Sequence, residues 1–123
     1  MKEQERQALR PSVGGMLVAD LADEVAKLKA RPEWATQNRL AVSLVKDEAL
    51  NVLLMVLKSG ARLSEHHTKG PIALQVLWGA VRLSAGGCEV TLQKGNLVAL
   101  DRNVVHGLEA LEESALLLTT AIV

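Results

Sequence analysis

From Arg39 to Val123 the chain is a succession of short apolar runs separated by turn residues, with no amphipathic helical stretch among them. The spacing predicts strands at Leu40 to Lys46, Val52 to Lys58, Ile72 to Trp78, Ala80 to Leu83, Glu89 to Gln93, Leu97 to Leu100, His106 to Ala110 and Ala115 to Ile122. Turns fall at Lys46 to Asn51, Ser59-Gly60, Lys69-Gly70-Pro71, Ala85-Gly86-Gly87, Lys94-Gly95-Asn96, Asp101 to Asn103 and Glu112-Glu113. Many short strands at this spacing indicate an all-β sandwich or barrel. The lack of helices between them excludes a parallel α/β sheet.

One helix precedes the strands, from Met16 to Ala30. Leu17, Leu21, Val25 and Leu28 recur at helical spacing and form one apolar stripe. Asp20, Asp23 and Glu24 stand early and Lys27, Lys29 and Arg31 late, which suits the helix dipole, and Pro32 stops the run. The polar face mixes both signs, so the helix reads as a strap on a sheet and not as a membrane-surface element. The expected organisation is an N-terminal arm and helix over residues 1–38 and a barrel domain over residues 39–123.

Composition narrows the partners. At 123 residues and 49% apolar content, one domain with a real core is expected. Fourteen acidic side chains balance fourteen basic ones, so no single-sign field exists to attract a phosphate backbone. Trp34 and Trp78 are the only aromatic residues of the Phe, Tyr and Trp class, too few to stack bases. Nucleic acid is therefore not an expected partner. The lone Cys88 forms no internal disulfide, Met1 to Arg10 lack the apolar stretch of a signal peptide, and no apolar run approaches the length that spans a bilayer. A cytoplasmic protein without membrane contact is the expectation.

Two glycine-to-histidine spacings carry the functional information. Gly60 is followed after five residues by His66, with Gly79 further on; Gly95 is followed by Asp101, Asn103 and His106. These halves resemble the two motifs of the cupin superfamily, and the chain is similar to small single-domain cupins of the type-2 kind. The resemblance covers about residues 40 to 122 and implies a jelly-roll β-barrel, with His66 and His106 meeting at the pocket mouth. In metal-binding cupins the first motif supplies two His and a Glu, and the second supplies a third His. Carried over by position, His66 and His106 remain, whereas Thr68 stands at the second His and Ile72 at the Glu. Gln75 is the polar side chain of that strand, on the other face from Ile72 unless a bulge intervenes. Asp101 replaces the Pro, Ala110 the Asn, and Asn103 the Gly of the second motif; Asn tolerates the left-handed conformation that such a turn requires.

Strand alternation puts Thr68 on the side of His66, and Ile72, Leu74, Val76 and Trp78 on one face of the next strand. Trp78 then belongs to the core, near the end of the barrel remote from Ile72. The residues expected to contact a ligand are His66, His106, Thr68, Ile72 and Gln75. His66 and His106, joined by His67 if the chain leaves strand geometry after Glu65, are the metal candidates.

Three functional readings follow. The first is a small-molecule-binding cupin with a depleted metal-ligand set. The second is a metal-dependent enzyme, an oxygenase or isomerase, with one divalent transition metal as its cofactor. The third, metal-free acid/base catalysis by His66 or His106, ranks lowest, because tyrosine is absent and Asp101 reads as a cap for backbone N–H groups. The first reading needs no catalysis and the other two do, so the sequence leaves both an enzyme and a binding protein open. No helix-turn-helix region follows the last strand, so direct transcriptional regulation is not expected. The apolar runs Val52 to Leu57 and Leu116 to Val123 suggest a homodimer.

Overall fold

The computed structural model describes residues 15–123 and the strand pair Glu5–Arg6. Most of the segment 1–14, which includes the Met1 to Arg10 stretch and the start of the expected arm, lies outside the described residues.

The strands are β1 (Glu5–Arg6), β2 (Arg39–Lys46), β3 (Leu50–Leu57), β4 (Arg62–His66), β5 (Ile72–Trp78), β6 (Ala80–Ala85), β7 (Cys88–Gln93), β8 (Leu97–Leu100), β9 (His106–Ala110) and β10 (Ser114–Ala121). They form a six-stranded sheet in the order β1-β2-β3-β10-β5-β8 and a four-stranded sheet in the order β4-β9-β6-β7. All pairs are antiparallel except β1 with β2. The two sheets close on each other as a jelly-roll sandwich, so the expected all-β class holds.

Helix α1 (Leu21–Lys29) is shorter than the expected Met16 to Ala30. Asp20 has extended backbone geometry and its carboxylate accepts the Asp23 N–H at 3.1 Å, which fixes the helix start there. A 3-10 turn at Pro32–Ala35 then leads into β2. Val25 and Leu28 are buried against Leu40, Val42, Leu44, Leu54, Val56 and Ala115 on the outer face of the large sheet. Inside the sandwich a second cluster gathers Met55, Leu57, Leu74, Val76, Val81, Leu83, Leu92, Leu108 and Leu116. β3 is thus covered on both faces over Leu54–Leu57, which is why its sequence reads as a continuous apolar run and not as an alternation. The helix already covers the outer side of that run, so Val52 to Leu57 need no second copy to bury them.

The small sheet differs. Its outer face carries Arg62 and Arg82 on either side of Glu109, at 3.6 and 3.3 Å, so the strands alternate between apolar and charged residues. These exposed pairs order the surface and add little stability. Among the described residues no helix is long and apolar enough to cross a membrane.

One bulge reverses an expectation. Leu116 pairs with Val76, but the next residue back, Ala115, pairs with Trp78. The extra residue, Leu77, shifts the alternation and moves Trp78 to the outer face, where it is 40% exposed. Trp78 is therefore not a core residue. Lys29 lies over its ring, 4.1 Å from the centroid, and forms an ion pair with Glu113. Trp78 lines an apolar groove of about 760 Å³ beside α1, together with Leu21, Val25 and Leu77.

Candidate functional site

The chain crosses between the sheets after β4 and again before β9. His66 is the last residue of β4 and His106 the first of β9, so each histidine borders a crossover. The crossovers are stitched together: Asn103 donates its backbone N–H to the Thr68 carbonyl at 2.8 Å. Asn103 takes φ of +60°, the left-handed conformation expected of it, and is the only such non-glycine position among the described residues. The first crossover is also pressed onto the end of β10. A Cβ on Gly70 would overlap the Ala121 carbonyl, and Ala121 donates its N–H to Pro71 at 3.1 Å.

β4 is the strand that the turn-and-run pattern missed, and the reason is a bulge. Leu63 pairs with Leu108 and His66 with His106, so Ser64 and Glu65 together oppose Gly107. Leu63 packs on the interior cluster. The inserted residue then brings His66 to the same inner face, three positions later instead of two. A polar segment with interrupted alternation carries no strand signal of its own. Gly107 accommodates the bulge, because a Cβ there would approach the Glu65 Cγ to 3.3 Å.

The two imidazoles meet as register partners, with ring centroids 4.3 Å apart and planes at 58°. His106 is 5% exposed, whereas His66 is exposed. Nδ1 of His66 lies 3.0 Å from the Ser64 carbonyl, and Nδ1 of His106 lies 3.0 Å from the Val104 carbonyl. A carbonyl oxygen only accepts, so each Nδ1 carries the proton and donates it. In the neutral rings both Nε2 atoms are left as acceptors. Two such acceptors, on rings whose centroids lie 4.3 Å apart, can receive donor groups of a ligand or bind a metal ion.

The facing sheet supplies the rest of this end of the sandwich. Ile72, Leu100, Leu53 and Leu118 pack against the interior cluster or are buried, and the last three are only half-buried. Asn51 and Thr120, register partners on β3 and β10, continue the inward-facing series of Leu53 and Leu118 to the rim. Asn51 was expected in a turn; it is instead in β3, its side-chain oxygen buried and without a hydrogen-bond partner. No motif marks Asn51 in the sequence. Its signal is a polar residue at the inward register position of an apolar strand.

The remaining candidates disperse. Thr68 is half-buried and spends its hydroxyl on the Gly70 carbonyl at 2.8 Å. Gln75 is exposed, paired with Leu97 and Leu117 with no bulge between it and Ile72, so it lies on the outer face and is removed from the set facing the histidines. Asp101 is exposed and caps the Arg102 N–H at 2.7 Å. His67 is exposed, and among the described residues no three His, Cys, Asp or Glu side chains come together. The donor set thus fits a metal held by two imidazole nitrogens with its other positions supplied by ligand or water. It falls short of the three protein ligands usual in catalytic zinc sites.

No protein-family model matches the sequence, and no curated protein aligns with it significantly. Solved structures do resemble it. A cupin superfamily protein from Desulfitobacterium hafniense superposes with a TM-score of 0.73 at 16% identity, covering 96% of this chain and 100% of that one. A protein of unknown function from Streptococcus pyogenes gives 0.68 at 19% identity, covering 72% of this chain and 77% of its own. Salicylate 1,2-dioxygenase from Pseudoaminobacter salicylatoxidans gives 0.73 at 20% identity over 93% of this chain, which spans only 35% of the dioxygenase. At such identities the shared property is the fold, and this chain has the jelly-roll fold of those cupin structures.

Proposed function

We propose that this protein binds a small molecule at the end of the sandwich where His66 and His106 meet. The observation that supports this most directly is the pair of Nε2 atoms left as acceptors once both Nδ1 atoms are tied to backbone carbonyls. Ile72 would form part of the apolar floor and Thr68 would brace the crossover, while Gln75 takes no part. Apolar walls with a few placed polar groups are the usual makings of a ligand site.

A second reading has its own support. Histidines that bind metals typically donate the other ring N–H to a carbonyl or carboxylate, which is the arrangement of both rings here. In this reading His66 and His106 hold one divalent transition metal, and His67 joins them only if the first crossover rearranges. The metal would serve as a Lewis acid in an oxygenase or isomerase, and the protein's own part is to fix the two rings and shield one side of the site.

Both readings describe a cytoplasmic protein without nucleic-acid or membrane partners, in keeping with its balanced charge. A homodimer is the proposed assembly, supported by the exposed edge residues Leu97, at 66%, and Val90, at 45%.

The test is a thermal-shift screen of small molecules and of Mn, Fe, Ni, Cu and Zn salts on untagged protein, with metal analysis alongside. The proposal expects a ligand-induced rise in Tm that both His66→Ala and His106→Ala abolish. Stoichiometric metal lost in both variants would favour the second reading. No shift with any compound or salt would contradict both.

A further inference from the structure

We infer that the ligand of this mouth is rich in hydrogen-bond donors, neutral or cationic, and is gripped by Asn51 of the large sheet as well as by the two imidazoles of the small one. This inference rests on the reading of the mouth as a binding site. Its own observation is the buried, unpartnered Oδ1 of Asn51.

A buried polar atom without a partner destabilises a fold, and most such atoms in proteins find one. Asn51 is neither capping a turn nor pairing across the strand through that oxygen. It stands on the inward face of β3, in line with Leu53 and Met55, at the end where Leu118 and Thr120 of β10 also approach the rim. The facing sheet in a sandwich lies roughly 10 Å away. On that sheet, at the same end, stand His66 and His106, whose Nδ1 atoms are tied to backbone carbonyls and whose Nε2 atoms have no hydrogen-bond partner among the described residues.

The three groups share one chemistry. The atoms left without partners, two imidazole nitrogens and the Asn51 amide oxygen, all accept, the Asn51 NH2 group is the donor beside them, and the side chains between, Leu53, Leu100, Leu118 and Ile72, neither donate nor accept. The Thr120 hydroxyl can do either. Among the described residues charged donors stand at the rim: Lys69 is exposed on the first crossover, and Lys46, the register partner of Asn51 on β2, is exposed and already engaged in an interaction of its own. A carboxylate entering such a site would meet acceptors on both sides. An amidine, amide, amine or polyol would satisfy them.

The probes are benzamidine, benzamide and benzoate, which share a flat apolar ring and differ in donor count. Each is titrated into chelator-treated, full-length protein while the ring-nitrogen resonances of His66 and His106 are followed by NMR. The expected order is benzamidine, then benzamide, with benzoate about tenfold weaker or worse. Asn51→Leu is expected to weaken benzamidine about tenfold and to raise Tm by about 3–6 °C, since it removes an unsatisfied buried acceptor. Asn51→Asp, which can only accept when ionised, should keep the benzamidine preference. Benzoate binding as well as benzamidine, or an Asn51→Leu variant with unchanged affinity, would overturn the inference while leaving the site itself in place. Resonances that respond to none of the three probes would sink both the inference and the binding reading beneath it.

Discussion

Asn103 and Thr68 join the two crossovers of the jelly roll through a 2.8 Å backbone hydrogen bond, and the two histidines hang from the strands that these crossovers serve. His66 ends β4 just before Thr68, and His106 begins β9 just after Asn103. The geometry of the imidazole pair is therefore set by backbone, in the crossover stitch and the β4 bulge, more than by side-chain packing.

That dependence makes Asn103 a test position. Its φ of +60° suits Asn or Gly and strains a β-branched residue. Asn103→Gly should be close to neutral, whereas Asn103→Val should cost about 1–3 kcal/mol by urea denaturation. The valine variant should also disturb the ring resonances of both histidines, although it touches neither ring. Equal stability of the two variants would show that the crossover turn does not depend on the left-handed conformation at Asn103.

The two histidines should differ in their cost. His106 is buried and its loss strands the Val104 carbonyl, so His106→Ala should destabilise by about 1–3 kcal/mol. His66 is exposed, and His66→Ala should stay within about 0.5–1 kcal/mol of the parent. Ligand or metal binding should nonetheless disappear in both.

At the opposite end of the sandwich Gly79 closes the β5–β6 turn with φ of +89°. A Cβ there would lie 2.7 Å from the Ser114 Cα and closer still to the Glu113 carbonyl, both of them backbone. Gly79→Ala should cost about 3 kcal/mol or more, because neither the conformation nor the space suits a side chain. Ser114 in the same corner accepts the Ala80 N–H at 3.1 Å. Ser114→Ala, which keeps the turn but leaves that half-buried donor unpaired, should cost about 1–2 kcal/mol. Chemical denaturation of the two variants ranks them.

Lys29 bridges α1 to the sheet, over Trp78 and beside Glu113. Lys29→Ala should lower stability by about 0.5–1 kcal/mol and alter the Trp78 fluorescence, measured in a Trp34→Phe background. Glu113→Gln should give a smaller loss with the ring environment largely retained.

Much of this fold was legible from residues 39–123 because strands covered on one face alternate and turns need particular residues. Ile72–Trp78, Leu97–Leu100 and His106–Ala110 fall where turn residues and apolar runs place them. What escaped was bulged. β4 hides two solvent-side residues, Ser64 and Glu65, opposite one partner, and the Leu77 bulge sends Trp78 out of the core. A bulge changes the face of every later residue in its strand and leaves no fixed mark on composition. The histidine pair was visible through a family spacing, whereas Asn51 was not, since its role depends on the register of β3 against β10. Gln75 shows the converse, a polar side chain in a suitable strand whose alternation turns it to solvent.

The most direct measurement is the long-range 1H–15N spectrum of the imidazoles in metal-free protein near neutral pH. Protonated Nδ1 and bare Nε2 are expected in both rings, with through-space contacts between His66 and His106 and a change at both Nε2 atoms when a ligand enters. Nε2-protonated rings, or two rings without mutual contact, would contradict this arrangement.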